Sequence, residues 1–289
     1  MSTVSVTTRS PEAAVIEGFV ARDLMLHPEG RFVWDLGCGA GSFAHALAEV
    51  GARRVLGSDL ELPPGTEDRG CTQFVRGDFD AADAVAGGLR HVDVVFMHLM
   101  SEHVLDFKSF MASLFGRLRP GAEVLVHHDN YYQPVGSHDH GLIALNPETW
   151  MIEAQGPKCW LLEEKCEASR ERRAVVRQRW SQIFSQGSDD TRNPEVCSSC
   201  NYFRRSQPWA HLVYGQELRR TFPESFVRTA LNRHTPAQVM WDIHDAGFVI
   251  AKQERSWIQN PVPEDLAREY GAHTLQTFTL TCRLVRRAD

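Results

Sequence analysis

The chain has 289 residues, 43% of them hydrophobic and 24% charged, with a formal net charge of −6. That length suits one large α/β domain with an insertion, or two modest domains, at the composition of an ordinary globular protein. The negative charge gives no long-range attraction for nucleic acid or an anionic membrane, and no apolar run approaches the roughly 20 residues that span a bilayer. The run Met1 to Pro11 is polar and lacks the apolar stretch of a secretory signal, so a cytoplasmic enzyme is expected. Pro11 to His27 carries apolar residues at helical spacing, with Ser10 as its N-cap. Arg31 to Leu36 is a short strand that runs into a glycine-rich turn, and Ser42 to Val50 is the helix behind it. Further strands are predicted at Arg54 to Ser58, Thr72 to Val75, Val92 to Met97 and Glu123 to His127, with a helix from Phe107 to Leu118 stopped by Pro120-Gly121. Uninterrupted apolar strands of this kind are covered on both faces, and the alternation with helices argues for a parallel sheet.

The rhythm breaks at about His138. From there to Arg233 no comparable strand occurs; the stretch holds a charged helical segment, Glu163 to Phe184, and four cysteines. It is expected to be an inserted helical cap. The α/β pattern resumes with Thr235-Pro236, a cap and first-turn pair opening a helix to Ala246. Strands follow at Val249 to Ser256 and Thr274 to Val285, the last long and alternating. The expected organisation is therefore a domain built from 1–137 and 234–289, interrupted by a cap over 138–233.

The glycine-rich turn reads Asp35-Leu36-Gly37-Cys38-Gly39-Ala40-Gly41. Glycine there lets the backbone approach a ligand and aims the following helix N-terminus at it. Dinucleotide sites prefer Gly-x-Gly-x-x-Gly, where a pyrophosphate meets the helix. Here the spacing is Gly-x-Gly-x-Gly, and a carboxylate stands two residues before the first glycine. S-adenosylmethionine carries no phosphate but bears a positive ammonium and sulfonium, which suits Asp35. Asp59, followed by Leu60, ends the second strand where a carboxylate can accept both ribose hydroxyls. Gly77-Asp78-Phe79 ends the third, bringing a carboxylate near the adenine amine and a ring to its face.

These residues, with Asp93-Val94-Val95, Glu102-His103-Val104 and Leu118-Arg119-Pro120-Gly121, resemble the class I, seven-stranded, Rossmann-like family of S-adenosylmethionine-dependent methyltransferases. The resemblance covers residues 30 to 130, and 235 to 287 by topology. It implies a mostly parallel sheet with an antiparallel last strand and S-adenosyl-L-methionine as cofactor. The residues it nominates around the cofactor are Asp35, Gly37, Cys38, Gly39, Gly41, Asp59, Leu60, Gly77, Asp78, Phe79, Met97 and His98. Met97 and His98 would border the cofactor, and Asp35 would lie near its amino-acid part.

Methyl transfer from a sulfonium is an in-line displacement in which the enzyme positions the acceptor, excludes water and often removes a proton. A base is expected near the ends of strands four and five, where the sequence offers His98 and the run His127-His128-Asp129-Asn130-Tyr131-Tyr132, followed by His138. His128 is the first candidate and His127 the second. Neighbours in a strand point to opposite faces, so only one of them should face the cofactor. Asn130, Tyr131, Tyr132 and His138 are candidate acceptor contacts. Asp129-Asn130 is similar to the metal-holding pair of cation-dependent catechol-type O-methyltransferases, but His98 stands where that family has an aspartate. Nitrogen is a poor ligand for magnesium, so no metal is expected. Cys197-x2-Cys200 fits one half of a zinc site, but Cys159-x6-Cys166 is wide for the other half, so the four read as reduced cap cysteines. Arg170 to Arg179 alternates with glutamates and reads as a solvated helix face, not an RNA surface. The expected function is methylation of a small-molecule acceptor, a natural-product or sugar-like metabolite, with O-methylation leading because a histidine base suits a hydroxyl. N- or C-methylation and a catalytically idle cofactor-binding or regulatory module are the alternatives. A nucleic-acid substrate is disfavoured by the charge and by the lack of an Asn-Pro-Pro-Tyr-like tetrad after strand four.

Overall fold

A computed structural model of the chain describes residues 9–133, 209, 212, 232–257 and 261–287. The cap expected over 138–233, with His138, the Glu163 to Phe184 segment and the four cysteines, lies outside them except at 209, 212, 232 and 233. The described residues fall into two compact units. One holds 9–129, 236–256 and 279–287; the other holds 130–133, 209, 212, 232–235, 257 and 261–278.

The first unit opens with α1 (Pro11–Ala21). Ser10 caps it, its hydroxyl accepting the Ala13 N–H at 3.2 Å, and Pro11 occupies the first turn, where its missing donor costs nothing. There follow β1 (Phe32–Leu36), α2 (Ser42–Glu49), β2 (Arg54–Asp59), β3 (Thr72–Arg76) and α3 (Phe79–Ala86). The chain continues through β4 (Val94–His98), α4 (Phe107–Arg117), β5 (Glu123–Asp129), α5 (Pro236–Asp245), β6 (Val249–Trp257), α6 (Glu264–Tyr270), α7 (Ala272–Gln276) and β7 (Thr277–Val285).

The sheet order is β3-β2-β1-β4-β5-β7-β6. Strands β1 to β5 pair in parallel, and β7 runs antiparallel to β5. The expected architecture, a mostly parallel sheet with an antiparallel last strand, is the one observed. The order reverses at β1, which lies between β2 and β4, and such a switch point opens a crevice at the carboxyl ends of the strands.

Strand alternation divides the interior into two layers. Phe32, Trp34, Val95, Met97, Val124 and Val126 pack with α4 and α5 through Met111, Leu114, Val239 and Ile243. Val33, Val55, Val94, Phe96 and Leu125 point to the other face, against Ile16, Phe19, Ala44 and Leu47 of α1 and α2. Trp34 is fully buried, and its indole N–H reaches the Ser58 hydroxyl at 2.7 Å, satisfying the one polar atom it brings inside.

Three elements differ from the sequence expectation. Helix α3 was not anticipated, because its DAADAVA run buries only Ala82 and Ala86 and so shows little apolar period. Its signals were local: Asp78 as N-cap and Gly87 in the left-handed region at its end. Helix α6 was likewise unforeseen, burying a single residue, Leu266. Thr274 to Gln276, expected as strand, close α7 instead, and β7 begins at Thr277. In the second unit Leu275 of α7 packs with Leu266 and Trp209, so tertiary burial overrides the local β tendency.

Candidate active site

The turn between β1 and α2 is built by backbone hydrogen bonds to the end of β2. Gly37 and Cys38 both donate to the Ser58 carbonyl, at 2.8 and 3.0 Å. Gly37, Gly39 and Gly41 adopt φ of +79°, +51° and +82°, a left-handed region that side chains enter at a cost. A Cβ on Gly37 would lie 2.7 Å from Met100 Cβ, whereas one on Gly39 would meet nothing within 4 Å, which leaves that face open.

Asp59 closes the turn from the side. Its carboxylate accepts the Gly39 N–H at 2.9 Å on one oxygen and the Glu61 N–H at 3.0 Å on the other. Carboxylate oxygens have further lone pairs, so both remain able to accept from a ligand. Asp78 caps α3, one oxygen taking the Asp80 and Ala81 N–H groups. Gly77 donates to the Asp59 carbonyl at 2.9 Å, tying the ends of β2 and β3 together.

These residues surround a cavity of about 650 Å³. Gly37, Asp59, Leu60, Gly77, Asp78 and Phe79 line it, six of the residues named from the sequence. Leu99, Met100, His103, Val104, Phe110 and Arg117 also line it and were not among the site residues expected from the sequence. The Glu102-His103-Val104 motif was the signal for part of that wall. Leu99 itself is held at φ +52° just beyond β4, with its N–H on the His127 carbonyl at 2.9 Å. Backbone strain of this kind, about 1–3 kcal/mol, gathers at functional sites. Phe79 is wedged between Trp34 and Phe110, at 5.6 and 4.8 Å between ring centres, with Arg117 over its face.

Asp35 lies on the α2 side of β1, only 2% exposed. The Ala44 N–H in the first turn of α2 faces its carboxyl, yet Oδ2 has no hydrogen-bond partner among the described residues. Burial, then the negative charge of Asp59, pushes its pKa up to about 8. A buried carboxyl this poorly compensated calls for a positive partner. Cys38, beside it, has its thiol pushed well up by burial and by the charges of Asp35 and Asp59, so it is an inert thiol and not a nucleophile.

The remaining candidates divide between the two faces of the sheet. Met97 is fully buried in the α4 and α5 layer and does not line the cavity. His98 and His127 point to the other layer, where their rings stack 4.9 Å apart among Phe19, Phe43 and Phe96. His127 Nδ1 lies 2.7 Å from the Thr281 hydroxyl of β7. Burial lowers His98 to about 4; burial, then the neighbouring His98, His128 and Arg22, lowers His127 to about 3. Both imidazoles are therefore neutral at physiological pH. His128 faces the opposite side, 1% exposed, with Nδ1 3.0 Å from the buried Ser101 hydroxyl.

In the second unit the Asn130 side chain is fully engaged by backbone. Its amide donates to the carbonyls of Thr274 and Thr277, and its oxygen accepts the Tyr132 N–H. Tyr131 lies edge-on to Tyr132 and beneath Arg233, while Tyr132 packs with Trp209, Leu266 and Leu275. No group of three or more histidine, cysteine, aspartate or glutamate side chains suited to a metal occurs among the described residues. No helix among them is long and apolar enough to cross a membrane.

Residues 34–126, from β1 to β5, match the family model of the methyltransferase domain. The chain carries a class I S-adenosylmethionine-dependent methyltransferase domain. The site of this methyltransferase fits its cofactor. The Asp35 Oδ2, without a hydrogen-bond partner among the described residues, suits a positive amino-acid part, the open face at Gly39 leaves room for it, and the cavity joins apolar walls to two carboxylates. Several solved structures share similarity with the methyltransferase at low identity. An S-adenosylmethionine-dependent methyltransferase from Mesorhizobium loti is 15% identical, with 92% of this chain and 96% of that one covered and a TM-score of 0.46. One from Archaeoglobus fulgidus is 11% identical over 94% of each chain, with a TM-score of 0.45. A Burkholderia thailandensis N1-methyltransferase with bound 1,6-didemethyltoxoflavin and S-adenosylhomocysteine is 21% identical, covering 42% of this chain and 51% of its own, with a TM-score of 0.31. No curated protein sequence matches the methyltransferase significantly.

Proposed function

We propose that the enzyme methylates a hydroxyl of a small-molecule acceptor, a natural-product or sugar-like metabolite, in the cytoplasm, with His128 as general base. The observation that carries this reading is the placement of His128 at the carboxyl end of β5, buried and oriented through Nδ1 by Ser101. Bound S-adenosylmethionine supplies an electrophilic methyl group on a positively charged sulfur. Asp35 would answer the positive charge of its amino-acid part, Asp59 the ribose hydroxyls, and Asp78 and Phe79 the adenine. A neutral His128 would take the acceptor's proton as the methyl group arrives, an effect typically worth about 10²–10⁴ in rate. His127 is the second candidate, already neutral on the other face. Tyr131 and Tyr132, next along the chain, are the acceptor contacts that the sequence nominates; Asn130 serves to hold its loop.

The test is a turnover screen of hydroxylated metabolites with the donor, followed by single-turnover rates for His128→Ala and His127→Ala at measured donor affinity. A loss of about a hundredfold or more in one variant identifies the base. Near wild-type rates in both would remove the base from this strand end. A chelator is expected to leave turnover intact; loss of activity restored by one divalent ion would reopen a metal site at His98, Asp129 and Asn130.

A further inference from the structure

Among the described residues that line the cofactor cavity, Arg117 brings the one guanidinium, set with the carboxylates of Asp59, Asp78 and Asp80. It stands in the last turn of α4, and its Cζ lies 5.6 Å from the centre of the Phe79 ring, within reach of a cation–π contact. A terminal nitrogen is 2.9 Å from a carboxylate oxygen of Asp80, the residue after Phe79 in the first turn of α3. Both side chains of this ion pair meet solvent, Arg117 at 35% and Asp80 at 78% exposure, so the pair adds little stability of its own. What it fixes is the place of a long, flexible side chain. Within α4, the Arg117 Nε is 3.5 Å from the Ser113 hydroxyl, too long to fix it instead.

Phe79 has reason to need a support from outside. It is half-buried at the start of a helix that buries only Ala82 and Ala86. Its ring neighbours come from other elements: Trp34 of β1 at 5.6 Å and Phe110 of α4 at 4.8 Å between centres. Both distances are those of favourable aromatic pairs, and Arg117 adds a third contact on the same ring.

We propose that Arg117 is a positioning residue for the base of the cofactor: pinned by Asp80, it holds the Phe79 ring in the orientation that meets adenine. The inference rests on the reading of Phe79 as the adenine contact. Arginine suits the task better than lysine, because a planar guanidinium can lie against an aromatic face while its forked N–H groups bond a carboxylate. Arg117 acts through the ring and touches no reacting atom. Its loss should therefore raise the KM for the donor and leave kcat at saturating donor unchanged.

Calorimetry with S-adenosylhomocysteine reads the effect without an acceptor. Arg117→Met keeps the apolar stem and loses the charge, and affinity is expected to fall roughly three- to tenfold, the scale of a partly exposed cation–π contact. Arg117→Lys, which restores the charge without the plane, should recover only part of the loss. Phe79→Leu alone should also weaken binding. In the Phe79→Leu background Arg117→Met should cost nothing further, because the ring through which it acts is gone; an arginine with a merely structural role would give additive losses. Unchanged affinity in Arg117→Met, or equal losses with and without the Phe79 ring, would overturn the inference. Should Arg117→Met lose its fold by circular dichroism, Asp80→Ala, a change at an exposed side chain, decides: it should weaken binding in the wild type and not in Phe79→Leu. Failure of the adenine reading is seen separately, since Phe79→Leu alone would then bind S-adenosylhomocysteine as tightly as the wild type.

Discussion

Asp35 shows how one residue joins fold to function. It stands next to the end of a fully buried strand, and a buried carboxyl either finds a partner or keeps its proton. Among the described residues its Oδ2 finds none, and Asp59 and its own burial hold the pKa at about 8. A positively charged cofactor favours the ionised form, so binding must displace the proton below that pH. Affinity for S-adenosylmethionine is thus expected to rise as pH rises through about 8 and then level. Calorimetry in buffers of different ionisation enthalpy should detect proton release at pH 7. Asp35→Asn should bind more weakly and lose both the pH slope and the proton release; a flat profile in the wild type would detach Asp35 from the cofactor's charge.

At the scale of elements, the close approach of the glycine turn to β2 and β3 depends on atoms that are missing. Gly57, in the middle of β2, has an ordinary strand conformation, yet a Cβ there would lie 2.5 Å from the Phe74 ring and 3.2 Å from Cys38 Sγ. Phe74 fills the same space beside Gly41, where an added Cβ would also come to 2.5 Å. One aromatic ring therefore occupies the space of two absent side chains and wedges the glycine turn onto the sheet. Gly57→Ala is expected to destabilise the chain by about 1–3 kcal/mol, the usual cost of overpacking. Adding Phe74→Leu should recover part of the loss, whereas Phe74→Leu alone should destabilise by leaving a void. Urea unfolding of the three variants decides; a neutral Gly57→Ala would show that Phe74 can move aside freely.

For the whole molecule, buried titratable groups act in opposition. His98 and His127 have folded pKa values near 4 and 3, below the ordinary 6.5, so the stability of keeping them neutral is complete above about 6.5 and is lost as pH falls toward those values. Asp35 and Glu102 are raised to about 8 from 3.8 and 4.5, so the stability of keeping them protonated is complete at acid pH and is lost as pH rises through about 8. The ligand-free chain should therefore be most stable between about pH 4.5 and 6.5, and less stable at pH 8.5 than at pH 6. Saturating S-adenosylmethionine should flatten the alkaline side, because it stabilises ionised Asp35. Denaturant midpoints at pH 6 and pH 8.5, with and without cofactor, test this, and a ligand-free protein most stable at pH 8.5 would contradict it.

Much of this was readable in the sequence, and the reason is locality. The glycine turn, Asp59 and Gly77-Asp78-Phe79 are set by residue type and short spacing, because a turn that must approach a ligand admits only glycine, and strand ends in a parallel sheet share one edge. Apolar strands and amphipathic helices were visible because burial imposes a period. Helices α3 and α6 were not, since each buries almost nothing of its own. Adjacency in sequence could say only that His127 and His128 oppose one another. Which of them stacks on His98 and which meets Ser101 depends on strand register and on the residues of α1, α2 and the Ser101–His103 turn, brought together from distant parts of the chain. The burial of Glu102, and the missing partner of Asp35, are likewise properties of packing. By itself the sequence determined the glycine turn and the alternation of the sheet; only the tertiary structure decided which polar groups lose their water, and with it their proton affinities.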